Sequence, residues 1–321
     1  MEVAVRLRAA DAVQERPPAR GAYFLANDVV FDLAVAFLNS FREHNPDTPL
    51  CMVPFDSSSR AVRSLAAEYG FDVYHDEETL HGCDEIGARF HGRPRGHYRK
   101  LAMWSGGFEE FVYIDVDTVV LRSLDPVFGL LWSFDVVAAS ASAKKLEKWV
   151  WRPSARTAGF LTDAQRAYSA NTGFLASRRG VLTMANAAQA AERAPALAPH
   201  MALECHEQPL LNYLIVRSGA RYTSLAALVG GGYPRSLPIE HWAGRRGGHI
   251  RGGQLTSPAG RPPALFVHWA GMWQPPRWES WCRPLARLWR RGRRAGYGVR
   301  LGLRYGRLWR HYRELRARRP E

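Results

Sequence analysis

The chain has 321 residues, 46% of them hydrophobic and 12% aromatic, which is enough apolar material for one large domain or two small ones and too much for a disordered polymer. No run approaches the ~20 apolar residues needed to cross a bilayer, and residues 1–8 lack the apolar core of a signal peptide. The net charge of +14 invites a nucleic-acid reading, but residues 283–321 hold fourteen arginines against two glutamates and so carry twelve of those charges, leaving a nearly neutral body and disfavouring nucleic acid as a partner.

Residues 1–20 are polar, contain Pro17-Pro18 and show no period, so they read as a flexible leader. Residues 21–26 are a buried strand, ended by Asn27 and Asp28. Val30, Ala34, Phe37, Leu38 and Phe41 follow at helical spacing, with Asp28 as the expected N-cap. Residues 49–55 read as a second strand, 58–69 as a helix stopped by Gly70, and 71–74 as a third strand. A helix over 98–104 leads into the apolar run 110–121, and residues 123–126 turn the chain. Residues 135–139 return to the sheet and 143–166 read as an irregular polar loop. A strand over 168–176 precedes helices over 180–193 and 207–216, then residues 230–263 read as loop and 265–269 as a last strand. Strands alternating with helices predict an α/β fold: a mainly parallel sheet with helices on both faces. Cys51, Cys83, Cys205 and Cys282 are too scattered for a zinc site and read as reduced thiols, which points to the cytoplasm.

The most informative segment is Asp115-Val116-Asp117 at the end of the apolar run. Strand residues two apart project to the same side, so these carboxylates would repel one another unless a cation neutralised them. Mg²⁺ and Mn²⁺ bound in this way keep positions open for phosphate oxygens. Taken alone, the pair also fits a strand ending in a polar turn. In open α/β sheets, however, ligands gather at the carboxyl ends of the strands, where both Asn27-Asp28 and the aspartate pair are expected.

Six segments then follow in order: Ala26-Asn27-Asp28, His97-Tyr98-Arg99-Lys100, Asp115-Val116-Asp117, Asn171-Thr172-Gly173, Glu207-Gln208 through Asn212, and His268-Trp269-Ala270-Gly271. Their order and spacing, over about residues 21–278, resemble the metal-dependent GT-A glycosyltransferases, in particular the retaining family 8 group with glycogenin and the bacterial lipooligosaccharide galactosyltransferases. The resemblance implies a Rossmann-like GT-A domain over 21–282, a nucleotide diphosphate sugar donor that is usually UDP-linked, and Mn²⁺ or Mg²⁺ as cofactor. It implies Asp115, Asp117 and His268 as metal ligands, and Asn27 and Asp28 at the base and ribose. It places Arg99, with Lys100 beside it, on the donor, Asn171 and Gly173 along the sugar, and Gly271 among the donor contacts. Gln208 would lie nearest the anomeric carbon, sharing the catalytic role with Asp117, and Asn212 would face the same way one helical turn on. Glu207 stands where the family more often has Asp. The family often continues with a diphosphate-contacting Lys, where this chain has Gln274; Arg277 or Arg283 could supply that charge.

In the tail, Leu301, Tyr305, Leu308, Trp309, Tyr312 and Leu315 recur at helical spacing among arginines. Such an amphipathic helix fits an anionic membrane surface, so 283–321 is expected to hold the protein peripherally on the inner face of the membrane, near a glycan or glycolipid acceptor. The bland alternative is a terminal helix docked on its own domain. Two rival functions remain: a haloacid-dehalogenase-type phosphatase with Asp115 as nucleophile, and a catalytically silent GT-A scaffold.

Overall fold

The computed structural model of the protein describes residues 19–233, 237–243, 249–251, 254–256, 262–270 and 306–315. Its strands are β1 (Arg20–Ala26), β2 (Leu50–Pro54), β3 (Asp72–Val73), β4 (Glu110–Ile114), β5 (Thr118–Val120), β6 (Val136–Ala138), β7 (Phe174–Arg178), β8 (Tyr222–Ser224), β9 (Ile239–Trp242), β10 (His249–Arg251), β11 (Gln254–Thr256) and β12 (Ala264–His268). Seven of them form one sheet in the order β3-β2-β1-β4-β7-β6-β8, in which β7 alone runs against its neighbours. This is the mixed, mainly parallel α/β sheet that the alternating pattern predicts. A second sheet, β5-β12-β9, lies beside it.

The apolar runs of β1 and β4 follow from being covered on both faces. Along β1 and β4, Ala22, Phe24, Val112 and Ile114 point into one core with the Phe31–His44 helix. Tyr23, Leu25, Phe111 and Tyr113 point into the other, with the Glu77–His91 and Gln208–Arg217 helices. One-residue alternation thus feeds two cores from the same strands.

The run 110–121 is two strands. The chain leaves the large sheet after Ile114 and enters the small one at Thr118, so Asp115, Val116 and Asp117 occupy the switch between them. Three backbone-directed bonds fix this corner: Asp115 N–H donates to the Gly173 carbonyl at 2.8 Å, the Thr118 hydroxyl to the Asp115 carbonyl at 2.8 Å, and Trp269 N–H to the Asp117 carbonyl at 3.0 Å. Beyond it, Val120 N–H donates to Ser40 Oγ at 3.0 Å and Leu124 N–H to Asn45 Oδ1 at 2.8 Å, tying the small sheet to the Phe31–His44 helix.

Several expectations need correction. Asn27, not Asp28, caps the turn Asp28–Val30, accepting from Val29 N–H at 3.2 Å; Asp28 accepts instead from Val62 N–H at 3.1 Å. Residues 58–69 break into Arg60–Arg63 and Ala66–Tyr69, although Gly70 does end the second piece at φ 62°. The Glu77–His91 helix escapes the reading above; its apolar stripe of Leu80, Cys83, Ile86 and Phe90 is narrow and the rest is polar. Residues 143–166 hold short helical turns, among them Asp163–Ala167 with a Thr162/Gln165 capping box. Residues 230–263 are not all loop, since they contribute β9, β10 and β11.

The tail also differs. Helix Gly306–Leu315 lies on the Phe31–His44 helix, burying Leu308, Trp309 and Tyr312 in the domain's own core. Asn39 Nδ2 donates to the Tyr312 carbonyl at 2.8 Å, and Arg313 pairs with Asp32 at 3.1 Å. The apolar residues assigned to a membrane interface are therefore covered by protein, which is the docking alternative. Leu301 and Tyr305 lie outside the described residues. Among the described residues no helix is long and apolar enough to cross a membrane, and Cys51, Cys83 and Cys205 are free thiols.

Candidate functional site

The corner between the two sheets gathers Asp115, Asp117 and His268, with one ligand atom from each lying within 4.8 Å of the others. Asp115 ends β4 and Asp117 precedes β5. His268 ends β12, whose antiparallel pairing sets it opposite Thr118, next to Asp117. His268 Nε2 is 3.2 Å from Asp117 Oδ1, and each of these atoms is enclosed without a hydrogen-bond partner. Its Nδ1 is 2.7 Å from Glu240 Oε1 on the adjacent parallel strand β9. A carboxylate on Nδ1 fixes the ring and turns Nε2 toward the aspartates.

This set fits Mn²⁺ or Mg²⁺: two carboxylates and an imidazole suit such a cation, and the two orphaned atoms are the ones it would engage. Gly173 leaves the room. A Cβ there would come within 2.5 Å of His268 Cε1 and 2.8 Å of Asp115 Oδ2. Burial would lower the His268 pKa, but Asp117 and Glu240 outweigh it and raise it well above the ordinary value.

A second charge system adjoins the first. The buried Lys100 ammonium lies 3.1 Å from Asp115 Oδ1 and 2.7 Å from Glu207 Oε1, while Tyr113 Oη donates to Asp115 Oδ1 at 2.5 Å. Burial would raise the Asp115 carboxyl, yet Lys100, His268 and Tyr113 together hold it below the usual range. Burial likewise opposes the charge on Lys100, but Asp115 and Glu207 keep its pKa raised. Glu207 also accepts from the Thr172 hydroxyl at 3.1 Å.

Gln208 opens the Gln208–Arg217 helix beside this network. Its Oε1 accepts from Thr172 N–H at 3.2 Å and its Nε2 donates to the Trp149 carbonyl at 2.9 Å, so the amide orientation is fixed. Asn171 Oδ1 accepts from Gly173 N–H at 2.8 Å, closing a tight turn against the metal corner. Asn212 is fully buried and its amide is engaged by backbone: Ala170 N–H at 2.6 Å, the Ala170 carbonyl at 2.9 Å and the Gln208 carbonyl at 2.9 Å. It positions the 170–173 segment and offers no free amide.

Arg99 is also engaged elsewhere. Its guanidinium forms a fork on Asp84, at 3.0 and 2.6 Å, and donates to the Pro54 carbonyl at 3.0 Å. Its neighbour Lys100 is the cation that reaches Asp115. Asn27 donates to Asp56 Oδ2 at 2.7 Å at the end of β1, the parallel neighbour of β4. Asn27 and Asp28 thus shape a strand terminus beside the corner, while Gly271, Gln274, Arg277 and Arg283 lie outside the described residues. Lys100, Tyr113, Glu207 and Glu240 complete the site as observed. Tyr113 was legible in principle, since it shares a strand face with Asp115; Glu240 lay in a stretch read as loop.

Neither a family profile nor any curated protein sequence matches the chain. Solved structures do. The chain is similar to the galactosyltransferase LgtC in complex with donor and acceptor sugar analogues, at 17% identity and a TM-score of 0.48, over 79% of this chain and 89% of that one. It is similar to mouse xyloside xylosyltransferase 1 at 11% identity and a TM-score of 0.48, over 80% of this chain and 99% of that one. A third is the bifunctional glycosyltransferase WbbM, at 13% identity and a TM-score of 0.45, over 81% of this chain and 48% of that one.

Proposed function

We propose that this protein is a metal-dependent glycosyltransferase that moves a hexose from a UDP-linked sugar to a glycan or glycolipid acceptor with retention of anomeric configuration. The observation that supports it most is the convergence of Asp115, Asp117 and His268, two of their ligand atoms enclosed and facing only each other, at the carboxyl end of a central strand. Asp115, Asp117 and His268 would hold Mn²⁺ or Mg²⁺, which supplies Lewis-acid stabilisation to the departing diphosphate. Lys100, held between Asp115 and Glu207, adds a second positive charge beside the same leaving group. Gln208 presents a neutral, fixed amide. A carboxamide oxygen can face a developing positive charge at the anomeric carbon but is a poor nucleophile; retention, by attack of the acceptor on the leaving-group face, is what the resemblance to the retaining family 8 enzymes implies. Asn171 and Gly173 keep the sugar close to the metal corner.

The phosphatase reading finds less support. Asp115 Oδ1, the atom it would use as nucleophile, already accepts from Tyr113 and pairs with Lys100. Assaying UDP release from a panel of UDP-sugars with Mn²⁺, against phosphate release from p-nitrophenyl phosphate, separates the two. Mn²⁺-dependent UDP release is expected; phosphate release alone would replace this reading with the phosphatase, and tight UDP binding without turnover would replace it with the scaffold.

A further inference from the structure

The segment that precedes the Gln208–Arg217 helix in space carries an aromatic side chain that the metal corner does not use. Among the described residues five large hydrophobic side chains are exposed: Val29, Trp132, Trp149, Tyr233 and Trp242. Single exposed hydrophobics are common on protein surfaces and need no explanation. Trp149 is set apart by its position, because its carbonyl accepts from Gln208 Nε2 at 2.9 Å. It is 41% exposed and belongs to neither core, whereas Trp151, two residues on, is 2% exposed and packs into the second core.

The backbone holds this position firmly. Val150 N–H and Trp151 N–H both donate to the Glu147 carbonyl, at 2.9 and 2.6 Å, closing the Glu147–Trp149 turn. Trp151 bridges Met201 in antiparallel fashion, with Arg152 N–H donating to the His200 carbonyl at 2.8 Å and Ala202 N–H to the Val150 carbonyl at 3.0 Å. The Glu147 carboxylate pairs with Arg156 at 2.8 Å. Past Met201 the chain reaches Gln208 through His206, at φ 58°, whose ring stacks on His97 with 3.9 Å between centroids. Trp149 thus stands on a pinned turn, and a stiff aromatic group held in advance loses little entropy on binding.

Covalent geometry bounds where the indole can be. With its carbonyl 2.9 Å from the Gln208 amide, the ring centre of Trp149 lies within roughly 10 Å of that amide, a distance a short saccharide spans. The order of contacts then separates two ends of the site. Gln208 Oε1 accepts from Thr172 N–H at 3.2 Å, and a Cβ on the next residue, Gly173, would meet the His268 ring at 2.5 Å. Residues 172–173 therefore stand between Gln208 and the metal corner. Trp242 pairs opposite His268, at the metal end. Trp149 is on the other edge of the Gln208 amide, at the end away from the metal.

We propose that Trp149 is the stacking platform for the sugar of the acceptor. An exposed indole offers an apolar face to the C–H face of a pyranose and an N–H to its hydroxyls. Lys148 Nζ stands 5.1 Å from the ring centroid, where its charge steadies the ring and its N–H groups can reach hydroxyls at the platform's edge. The diphosphate belongs at the metal end, so the saccharide gripped at the Gln208 end is the one that receives the transferred sugar. That it is the acceptor rests on the glycosyltransferase reading; saccharide binding at Trp149 does not.

Full-length protein labelled with fluorotryptophan gives a fluorine resonance for each of its eleven tryptophans, and Trp149→Phe identifies the one from Trp149. Titration with lactose, cellobiose and maltose in turn, with Mn²⁺ and UDP present, should move that resonance saturably with at least one of them. The resonance of Trp132 should stay in place, since Trp132 follows Leu131, whose carbonyl accepts from Arg178 at the far end of β7. Trp149→Ala should weaken binding of the same disaccharide about tenfold, and Trp149→Phe about threefold, with circular dichroism confirming the fold. Under turnover, Trp149→Ala should raise the KM for the disaccharide about tenfold more than the KM for the UDP-sugar. A shift of Trp149 without turnover of any UDP-sugar would keep the platform and refute the transferase reading. A Trp149 resonance unmoved by all three disaccharides, whether or not UDP is released, or equal affinity in Trp149→Ala and the wild type, would overturn the proposal. Should Trp149→Ala fail to fold, the wild-type titration decides alone.

Discussion

The two polar corners flanking Lys100 are built on opposite electrostatic principles. At one, Asp117 Oδ1 and His268 Nε2 are enclosed and face only each other where carboxylates predominate; at the other, Nδ1 of His97 and of His206 is enclosed without a hydrogen-bond partner where cations predominate. His268 is held with its pKa raised because Asp117 and Glu240 flank it, whereas His91, His97 and His206 are lowered by burial and by arginine and lysine neighbours. The same side chain is thus set to opposite ends of its range by what surrounds it. An enclosed polar group without a hydrogen-bond partner is costly, and at the first corner its persistence points to a cation.

The sharpest way to break that contrast is at Asp117. Asp117→Ala should lower Mn²⁺-dependent UDP release by about 10³-fold or more, since the metal contributes several kcal/mol to leaving-group stabilisation. Its circular dichroism spectrum should stay that of the wild type; unchanged turnover would remove the cation from the account. Away from both corners, Trp309→Ala should destabilise the domain by about 3–5 kcal/mol in urea unfolding. Trp309 is buried against the Phe31–His44 helix, so a loss within about 0.5 kcal/mol would return the tail helix to the role of a detachable appendage.

Glu240→Gln tests the acid corner more gently. Loss of the carboxylate on His268 Nδ1 should weaken Mn²⁺ binding by about 10–100-fold, read by paramagnetic resonance without any turnover. Unchanged affinity would mean that Glu240 only fills space. The smallest effect belongs to the basic corner. Its histidines have pKa values lowered from the unfolded value of about 6.5, so the unfolded chain binds more protons just below that pH. Stability from the neutral rings is complete above about 6.5 and declines as pH falls beneath it. Calorimetric Tm values between about pH 6.5 and 5.5 should show this decline, since the raised His268 pKa acts with the opposite sign above about 6.5.

Much of the acid corner was legible because its chemistry is local in sequence. Asp115 and Asp117 stand two residues apart after an apolar run, and Asn171, Gly173 and Gln208 stand at strand and helix ends, where side chains meet a cleft. What escaped depends on contacts between distant segments. Arg99 and Lys100 are adjacent in a 3-10 segment, and nothing local says that Asp84 engages the first while Asp115 and Glu207 hold the second. Glu240 lies in a Gly- and Pro-rich stretch whose strand exists because β12 pairs with it. The tail shows the opposite failure. The period of Leu308, Trp309 and Tyr312 was correct, but periodicity alone does not say whether a helix's apolar face meets lipid or the protein's own core.

The account turns on where a divalent cation settles. Anomalous diffraction at the manganese edge, from crystals soaked with Mn²⁺ and UDP, should show one strong peak bounded by Asp115, Asp117 and His268, with the diphosphate on its open side. A peak elsewhere, or none with UDP bound and these three side chains unmoved, would contradict it.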